Sequence, residues 1–358
     1  MTIRVELSER SYDIRIGRGI LDQAGSFVTE RLKGKHAVVI TDTNVRQPHA
    51  ERVASSLSFS GIRSETLVVP AGEETKSAEQ AAALWNRLVE LGADRKTFVV
   101  AVGGGVVGDL AGFVAATYAR GIPFVQVPTS LMAQVDSSVG GKVGINLPLA
   151  KNLVGAFWQP VGVLIDLDVL DTLPEREYRS GLAEVVKYGV ILDDEFFKYL
   201  ETHVAEINAR DGATLVHLVR RSCELKAQVV AADEHEETGL RAVLNYGHTF
   251  CHAIETVSGY GTFLHGEAVA IGMICASRLA ELVGRVESDL TARQVKLLAS
   301  LGLPTALSGL DIEALMATMQ RDKKAEQGAL RFVLPSRLGS VELVGNIDAG
   351  LVRRAWQS

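Results

Sequence analysis

Two histidines four residues apart, His248 and His252, stand out in the segment NYGHTFCHAIE. At this spacing two side chains share one face of a helix, and imidazole is a common ligand of zinc. Three interpretations fit the spacing. Both histidines bind a metal, or one binds it while the other acts as an acid or base, or both serve packing or capping.

Two further segments in the second half of the chain supply groups that complete a metal site. Glu184 lies in SGLAEVVKYG, a predicted helix, and His265 lies in FLHGEAVAIG, where a loop enters a helix. One carboxylate and two imidazoles leave coordination positions open, which is typical of a catalytic zinc site. Lys187 follows Glu184 by three residues and therefore shares its helix face.

A glycine motif in the first half has the spacing G-x-G-x-x-G and consists of Gly103, Gly105 and Gly108. It begins at the end of the predicted strand TFVVAVGGG. Such glycines let backbone N–H groups approach a pyrophosphate at a helix N-terminus, although a simple tight turn also fits. A Rossmann fingerprint has its acid about 20 residues downstream. Here the suitable acid, Asp42, lies upstream after KHAVVIT, so the sheet binds a dinucleotide with another strand order or does not bind one.

Basic side chains recur in glycine-rich or turn segments, although the formal net charge of the chain is −6. That charge argues against a nucleic-acid partner. A pocket for a small anionic substrate explains the basic residues, whereas a solvated surface is the alternative for each one alone. These residues are Arg120, Lys142, Lys151, Arg241, Lys323 and Lys324.

The chain of 358 residues is long enough for two domains. Apolar strands alternate with helices up to about residue 175, which predicts a mostly parallel sheet covered by helices. Helical periodicity dominates afterwards. The sequence thus predicts an α/β domain over 1–175 and a mainly α-helical domain over 176–358.

Two features of the sequence bear on the expected location of the protein. The segment MTIRVELSER does not resemble a signal peptide, and no apolar run is long enough to span a membrane. Cys223, Cys251 and Cys275 show no CxxC spacing. We therefore expect a cytoplasmic protein without disulfides and without a membrane partner.

Together these segments resemble the 3-dehydroquinate synthases, a family of sugar phosphate cyclases. The resemblance covers essentially the whole chain, and it rests on VGGGVVGDLAGFVAATYARGIPFVQVPTSLMAQVDSSVGGKVGIN, KNLVGAFWQP, GLAEVVKYG, LNYGHTFCHAIE and LHGEAVAIGM. It implies an N-terminal Rossmann-like domain of altered topology, followed by a helical metal-binding domain.

The resemblance also implies roles for individual residues. Glu184, His248 and His265 match metal ligands, with zinc expected and cobalt as the alternative, and His252 matches a histidine near the substrate phosphate. NAD is expected at Asp42, Asn44, Glu73, Lys76, Gly103, Gly104, Gly105, Asp109, Thr129, Ser130, Lys142, Lys151, Asn152 and Thr172. Substrate is expected at Asp136, Lys142, Asn152, Lys187, Lys226, Arg241, Asn245 and one lysine of the pair Lys323 and Lys324. Arg120 matches an arginine that reaches the partner's phosphate pocket in a homodimer.

The implied reaction converts 3-deoxy-D-arabino-heptulosonate 7-phosphate to 3-dehydroquinate and phosphate, with NAD oxidising and then reducing the substrate. Three alternatives stand beside it. A cyclase of sedoheptulose 7-phosphate or glucose 6-phosphate would not need a carboxylate site. A metal-dependent alcohol dehydrogenase would not need phosphate-binding lysines, and a non-catalytic NAD-binding regulator would leave the Glu/His/His set unused.

Overall fold

The computed structural model describes residues 1–148, 150–259, 261–325 and 330–357, without the side chains of 321–325. The chain forms two compact units. One contains Met1–Pro174 and Val216–His235, and the other contains Glu175–Leu215 and Glu236–Ser358. In the described part of the chain, no helix combines the length and the hydropathy that crossing a bilayer requires.

The first unit contains strands and helices in alternation. Its strands are β1 (Thr2–Val5), β2 (Tyr12–Gly17), β3 (His36–Asp42), β4 (Arg63–Val69), β5 (Phe98–Gly103), β6 (Phe124–Pro128), β7 (Lys142–Leu147), β8 (Ala150–Phe157) and β9 (Gly162–Asp166). Its helices before residue 174 are α1 (Ala24–Thr29), α2 (Glu51–Phe59), α3 (Ala78–Glu90) and α4 (Gly105–Thr117).

Seven of these strands form one sheet in the order β1-β2-β9-β6-β5-β3-β4. Only the β1–β2 hairpin is antiparallel, as its two alternating segments predict, and every other pair in the sheet is parallel. All six residues of β5 are buried, because helices cover both faces of a parallel sheet. The predicted mostly parallel sheet is confirmed.

The strand order explains the unusual position of the acid Asp42. The chain passes from β3 to β4 on one side of β3, and then returns to place β5 on its other side. Open parallel sheets bind ligands at such a switch point, beyond the carboxyl ends of the strands. Thr41 of β3 pairs with Val102 of β5, so Asp42 lies beside the glycines that follow β5.

The second unit is mainly helical, as predicted, and carries one small hairpin. Its helices are α5 (Glu175–Leu192), α6 (Asp194–Thr202), α7 (Val204–Asn208), the start of α8 (Gly212–Ala232), α9 (His248–Ser258), α10 (His265–Leu282), α11 (Ser288–Ser300), α12 (Ile312–Ala325) and α13 (Ala349–Gln357). Its hairpin pairs β10 (Arg331–Arg337) with β11 (Ser340–Gly345). Helix α10 is central, since it packs against α5, α9, α11, α13 and β10.

Three details differ from the sequence predictions. The helix predicted over 242–258 begins at His248, because Gly247 (φ +81°) separates α9 from a 3₁₀ helix, Leu240–Asn245. The antiparallel ribbon of β7 and β8 lies where no strands were predicted. The sequence predicts one domain boundary near residue 175, whereas the structure assigns a later segment, Val216–His235, to the first unit as well. In that segment the Cys223 Sγ lies 3.2 Å from the Gln134 carbonyl oxygen.

Close contact between α9 and α10 depends on a pair of glycines. A Cβ at Gly272 of α10 would lie 2.2 Å from the carbonyl oxygen of Gly247, far inside van der Waals contact. Since α9 carries His248 and α10 begins with His265, this approach sets the spacing between the two histidines.

We expect Gly272→Ala to destabilise the protein by about 1–3 kcal/mol, because overpacking outweighs the better helix propensity of alanine. The change is measured as a lower midpoint of urea unfolding. The control is Gly345→Ala, where the nearest atom to the added Cβ is 3.8 Å away. Equal stability of the two variants would contradict this account of the α9–α10 contact.

Candidate active site

Three helices of the second unit bring Glu184, His248 and His265 together. The Nε2 atoms of His248 and His265 lie 3.9 Å and 3.8 Å from Glu184 Oε1. Each of the three residues offers one ligand atom, and these three atoms all lie within 4.8 Å of one another. Ligands about 2.0–2.1 Å from a tetrahedral zinc ion lie roughly 3.4 Å apart, so a small contraction would close this set around a cation.

The environment of Glu184 fits a bound cation. The residue is 1% exposed, and Lys187, itself buried, forms an ion pair with its Oε2. Within the described residues, neither carboxylate oxygen accepts a hydrogen bond of regular geometry. Because a buried carboxylate is costly unless fully compensated, a divalent cation would supply the interaction that this group requires.

The orientation of His248 also fits a ligand. Its Nδ1 lies 3.2 Å from the Tyr246 carbonyl oxygen, which can only accept, so the proton is on Nδ1 and the lone pair is on Nε2. Burial lowers the pKa of His248 well below its usual value, and the Lys187 charge lowers it further. The ring is therefore neutral, as metal binding requires.

His265 is protonated more readily. Burial opposes its positive charge, but the contact with Cys251 and the carboxylates of Glu255 and Glu184 raise its pKa well above the usual value. A cation at Nε2 would compete with this proton, so metal uptake would release a proton here.

His252 does not join the three-residue set. Its ring centroid lies 5.8 Å from that of His248, with the two ring planes perpendicular. Both three-residue groups suited to a metal in the described residues leave His252 out. The geometry therefore favours one ligand and one separate polar histidine at this pair.

Residues predicted to bind NAD gather along the carboxyl edge of the sheet in the first unit. Asp42 ends β3, Gly103 ends β5, Thr129 and Ser130 follow β6, and Thr172 ends the 3₁₀ helix that follows β9. The Asp42 Oδ1 accepts hydrogen bonds from the backbone N–H groups of Asn44 (2.8 Å) and Val45 (3.2 Å). This edge is the usual ligand position of an open parallel sheet.

The N-terminus of α4 fits a pyrophosphate. The cap residue is Gly104, no side chain caps the helix, and its first turn contains no acidic residue. Added Cβ atoms at Gly104 and Gly105 would lie 3.4 Å and 3.1 Å from the Ser130 and Ser137 hydroxyls. Glycine thus leaves the backbone N–H groups open to an anion, which the helix dipole attracts.

Lys76, which is buried, and Asp109 of α4, which is partly exposed, form an ion pair of 2.6 Å. Burial raises the pKa of Asp109, and the neighbouring Lys76 ammonium opposes that change. The pair joins α4 to the short 3₁₀ helix that begins with Glu73, another residue predicted to bind NAD.

Asn146 was not selected from the sequence, although it links three predicted residues. Its side-chain amide donates to Glu73 Oε1 (2.7 Å), its side-chain oxygen accepts from the Asn152 N–H (3.0 Å), and its own N–H donates to the Lys76 carbonyl oxygen (2.7 Å). The segment VDSSVGGKVGIN contains Asn146, but only the fold shows that its position lies beside Glu73.

The predicted substrate residues fall in both units, each described here within its own. In the first, the Lys226 Nζ donates to the Asp136 carbonyl oxygen (2.8 Å) and lies 2.9 Å from Asp136 Oδ1. Lys142 begins β7, while Lys151 and Asn152 lie in β8, where Asn152 has a φ of +57°.

Arg120 ends a 3₁₀ segment of the first unit, with a φ of +68°. In the second unit, Arg241 is buried in the 3₁₀ helix that ends at Asn245, and its Nε lies 3.6 Å from Glu236 Oε1. The side chains of Lys323 and Lys324 lie outside the described residues.

We expect Glu184→Ala and His248→Ala to lose tight Co²⁺ binding, because each removes one of the three ligands predicted among the described residues. His252→Ala, one helical turn away on α9, should keep wild-type affinity. The measurement is competition with a chromophoric chelator, with circular dichroism as the check on folding. If His252→Ala bound Co²⁺ as weakly as His248→Ala, the ligand assignment would be wrong.

Comparison with known proteins agrees with these features. Residues 66–180 match the model of the 3-dehydroquinate synthase N-terminal domain, and residues 181–325 match that of the C-terminal domain. The 3-dehydroquinate synthase of Geobacter metallireducens is 52% identical over 343 residues, which are 96% of this chain and 95% of that protein.

Two solved structures are similar over nearly the whole chain at 27% identity. A 2-deoxy-scyllo-inosose synthase, complexed with carbaglucose-6-phosphate, NAD⁺ and Co²⁺, has a TM-score of 0.91 and covers 100% of this chain and 99% of its own. The 2-epi-5-epi-valiolone synthase of Streptomyces hygroscopicus, with NAD⁺ and Zn²⁺, has a TM-score of 0.89 and covers 98% and 97%. With two domain models that together match residues 66–325, this chain belongs to the 3-dehydroquinate synthase family.

Proposed function

We propose that this chain converts 3-deoxy-D-arabino-heptulosonate 7-phosphate to 3-dehydroquinate and phosphate, in the shikimate pathway of aromatic amino acid biosynthesis. The observation that carries the proposal is the 52% identity to a 3-dehydroquinate synthase across 96% of the chain. The 2-deoxy-scyllo-inosose synthase and the 2-epi-5-epi-valiolone synthase described above are each 27% identical to this chain, despite their similar fold.

The chemistry needs two cofactors. When bound, NAD would accept a hydride from the carbon that bears a substrate hydroxyl, while the hydroxyl loses its proton, and would return that hydride later. The ketone formed in between acidifies the neighbouring C–H bond, so that phosphate can leave. A divalent cation at Glu184, His248 and His265 supplies Lewis acidity toward the hydroxyl that is oxidised. Nicotinamide shows no net change over one turnover.

Within the first unit, we assign NAD to the carboxyl edge of the sheet. The backbone N–H groups at Gly104 and Gly105 would hold the pyrophosphate, because the N-terminus of α4 lacks a side-chain cap. Asp42, at the neighbouring strand end, would accept hydrogen bonds from ribose hydroxyls. Glu73, Lys76, Asp109 and Thr172 would complete the contacts.

Within the second unit, we assign the substrate carboxylate to Arg241. Its guanidinium is buried and already lies near a carboxylate, that of Glu236, so the environment accepts this type of anion. His252 would hold phosphate, and Lys187, beside Glu184, would keep a positive charge next to the hydroxyl whose carbon is oxidised. Asp136, Lys142, Asn152, Lys226, Asn245 and Lys324 stay predicted substrate contacts.

Finer assignments belong to the same proposal. We propose zinc as the native metal, with cobalt as a functional substitute, since related cyclases were solved with either ion. We also propose a cytoplasmic homodimer in which Arg120 serves the site of the partner subunit. The left-handed backbone at Arg120 supports a special position for this side chain.

The decisive assay supplies the heptulosonate phosphate, NAD and Zn²⁺ to the purified chain. We expect release of one phosphate per 3-dehydroquinate formed, without accumulation of reduced nicotinamide, which is followed by its ultraviolet absorbance. A steady rise in reduced nicotinamide would instead identify an alcohol dehydrogenase. Turnover of sedoheptulose 7-phosphate or glucose 6-phosphate in preference would identify another cyclase.

Arg241→Gln should lower kcat/KM by about 30-fold or more, since loss of a charge-assisted contact with a carboxylate costs roughly 2–5 kcal/mol. Arg241→Lys keeps the charge but not the bidentate geometry, so its loss should be smaller. Steady-state kinetics measure both, and the midpoint of thermal unfolding shows whether each variant is folded. Wild-type kcat/KM in a folded Arg241→Gln variant would exclude this role.

A further inference from the structure

Helix α9 presents more than one functional group on the face that carries His248. Glu255 lies seven residues, or about two helical turns, after His248 and is therefore on the same face. Glu255 is 7% exposed, which is unusual for a carboxylate without a structural or functional reason. Neither the sequence patterns nor the proposed function assigns it a role.

The Glu255 carboxylate faces the outer nitrogen of His265. Its Oε1 lies 3.5 Å from His265 Nδ1, whereas His265 Nε2 lies 3.8 Å from Glu184 Oε1 on the opposite side of the ring. An ionised carboxylate only accepts hydrogen bonds, so this contact places the proton on Nδ1. Once metal uptake releases the proton from Nε2, the lone pair is on Nε2, which faces Glu184.

The two histidines of the set are thus held in the same manner by different groups. The Tyr246 carbonyl oxygen accepts a hydrogen bond from His248 Nδ1 at 3.2 Å. The Glu255 carboxylate accepts one from His265 Nδ1 at 3.5 Å. Partners of this kind fix the tautomer and the orientation of a ligating imidazole and raise its basicity, and their loss weakens metal binding by 10–100-fold.

We propose that Glu255 is a positioning residue that holds His265 with Nε2 directed at the metal. The proposal rests on the metal site of the proposed function, and it concerns only the outer contact of one ligand. His265 depends on it more than His248 does on its partner, because His265 is the first residue of α10 and its side chain is 38% exposed, compared with 14% for His248.

Cys251 offers a competing explanation for the same carboxylate. Its Sγ lies 3.9 Å from His265 Nδ1, and Cys251, Glu255 and His265 form the second three-residue group suited to a metal in the described part of the chain. If this group held a second cation, Glu255 and Nδ1 would be ligands themselves. Burial raises the pKa of the Cys251 thiol, which disfavours the thiolate that a metal needs.

The test uses Co²⁺ alone as the probe of metal-free protein and compares two variants of similar volume. Glu255→Met removes the acceptor, and we expect Co²⁺ affinity to fall about 10–100-fold. Glu255→Gln keeps an acceptor oxygen without its charge, so its loss of affinity should be smaller but measurable. The control is Glu195→Gln, which removes a carboxylate from an exposed position of α6 and should leave affinity unchanged.

Thermal unfolding of the metal-free proteins separates positioning from a structural role. If Glu255 is a positioning residue, its replacement weakens Co²⁺ binding and alters the visible cobalt spectrum. The unfolding midpoint of the metal-free variant then stays near that of the wild type. Wild-type Co²⁺ affinity in either Glu255 variant would overturn the proposal. This decision is available from Glu255→Gln even where Glu255→Met fails to fold.

Two further results identify other failures. A wild-type chain that binds no Co²⁺, or a Glu184→Ala variant that binds it normally, would overturn the metal site of the proposed function itself. Two equivalents of Co²⁺, with a sulfur charge-transfer band that Cys251→Ser abolishes, would overturn the positioning role in favour of a second metal site. One equivalent without such a band supports Glu255 as the outer partner of His265.

Discussion

The buried carboxylate of Glu184 is the constraint on which the second unit depends. It lies beneath two imidazole Nε2 atoms and beside the Lys187 ammonium, in a position that solvent does not reach. Isolated charges in such surroundings are costly, so every neighbour must contribute to compensation. This requirement explains why three helices converge here, and why α9 and α10 approach each other through Gly247 and Gly272.

The first unit brings short polar segments together at one edge of its sheet. Parallel strands achieve this because their carboxyl ends point the same way, and the change of direction between β4 and β5 opens a space beside β3. Glycines then allow backbone donors, rather than side chains, to face that space at the start of α4. The first unit thus presents backbone donors that suit an anion, whereas the second presents side chains that suit a metal.

Much of this could be predicted from the sequence, because local patterns carry it. Buried strands such as KHAVVITD are continuous apolar runs, and the type and spacing of Glu184, His248 and His265 indicate a metal site. Contacts between distant segments could not be predicted in this way. The adjacency of β3 and β5, the bridging amide of Asn146 and the contact of Glu255 with His265 depend on tertiary packing, which periodicity does not encode.

Spacing alone also left the roles of His248 and His252 undecided. The two lie one turn apart on α9, yet among the described residues the three-residue set around Glu184 includes His248 and not His252. The deciding factor is the direction from which α5 and α10 approach α9, and a one-dimensional pattern contains no such direction. The resemblance to the family, unlike the spacing, predicts that His248 is a metal ligand and that His252 is not.

The return of Val216–His235 to the first unit has a consequence for how the molecule can be divided. The polypeptide crosses between the units three times, at residues 174/175, 215/216 and 235/236, so neither unit is one uninterrupted stretch of chain. A fragment that stops at Pro174 would lack the partners of Asp136 and Gln134 on α8. Cutting the chain at a single position would therefore not separate the two units, unlike modules joined by a simple linker.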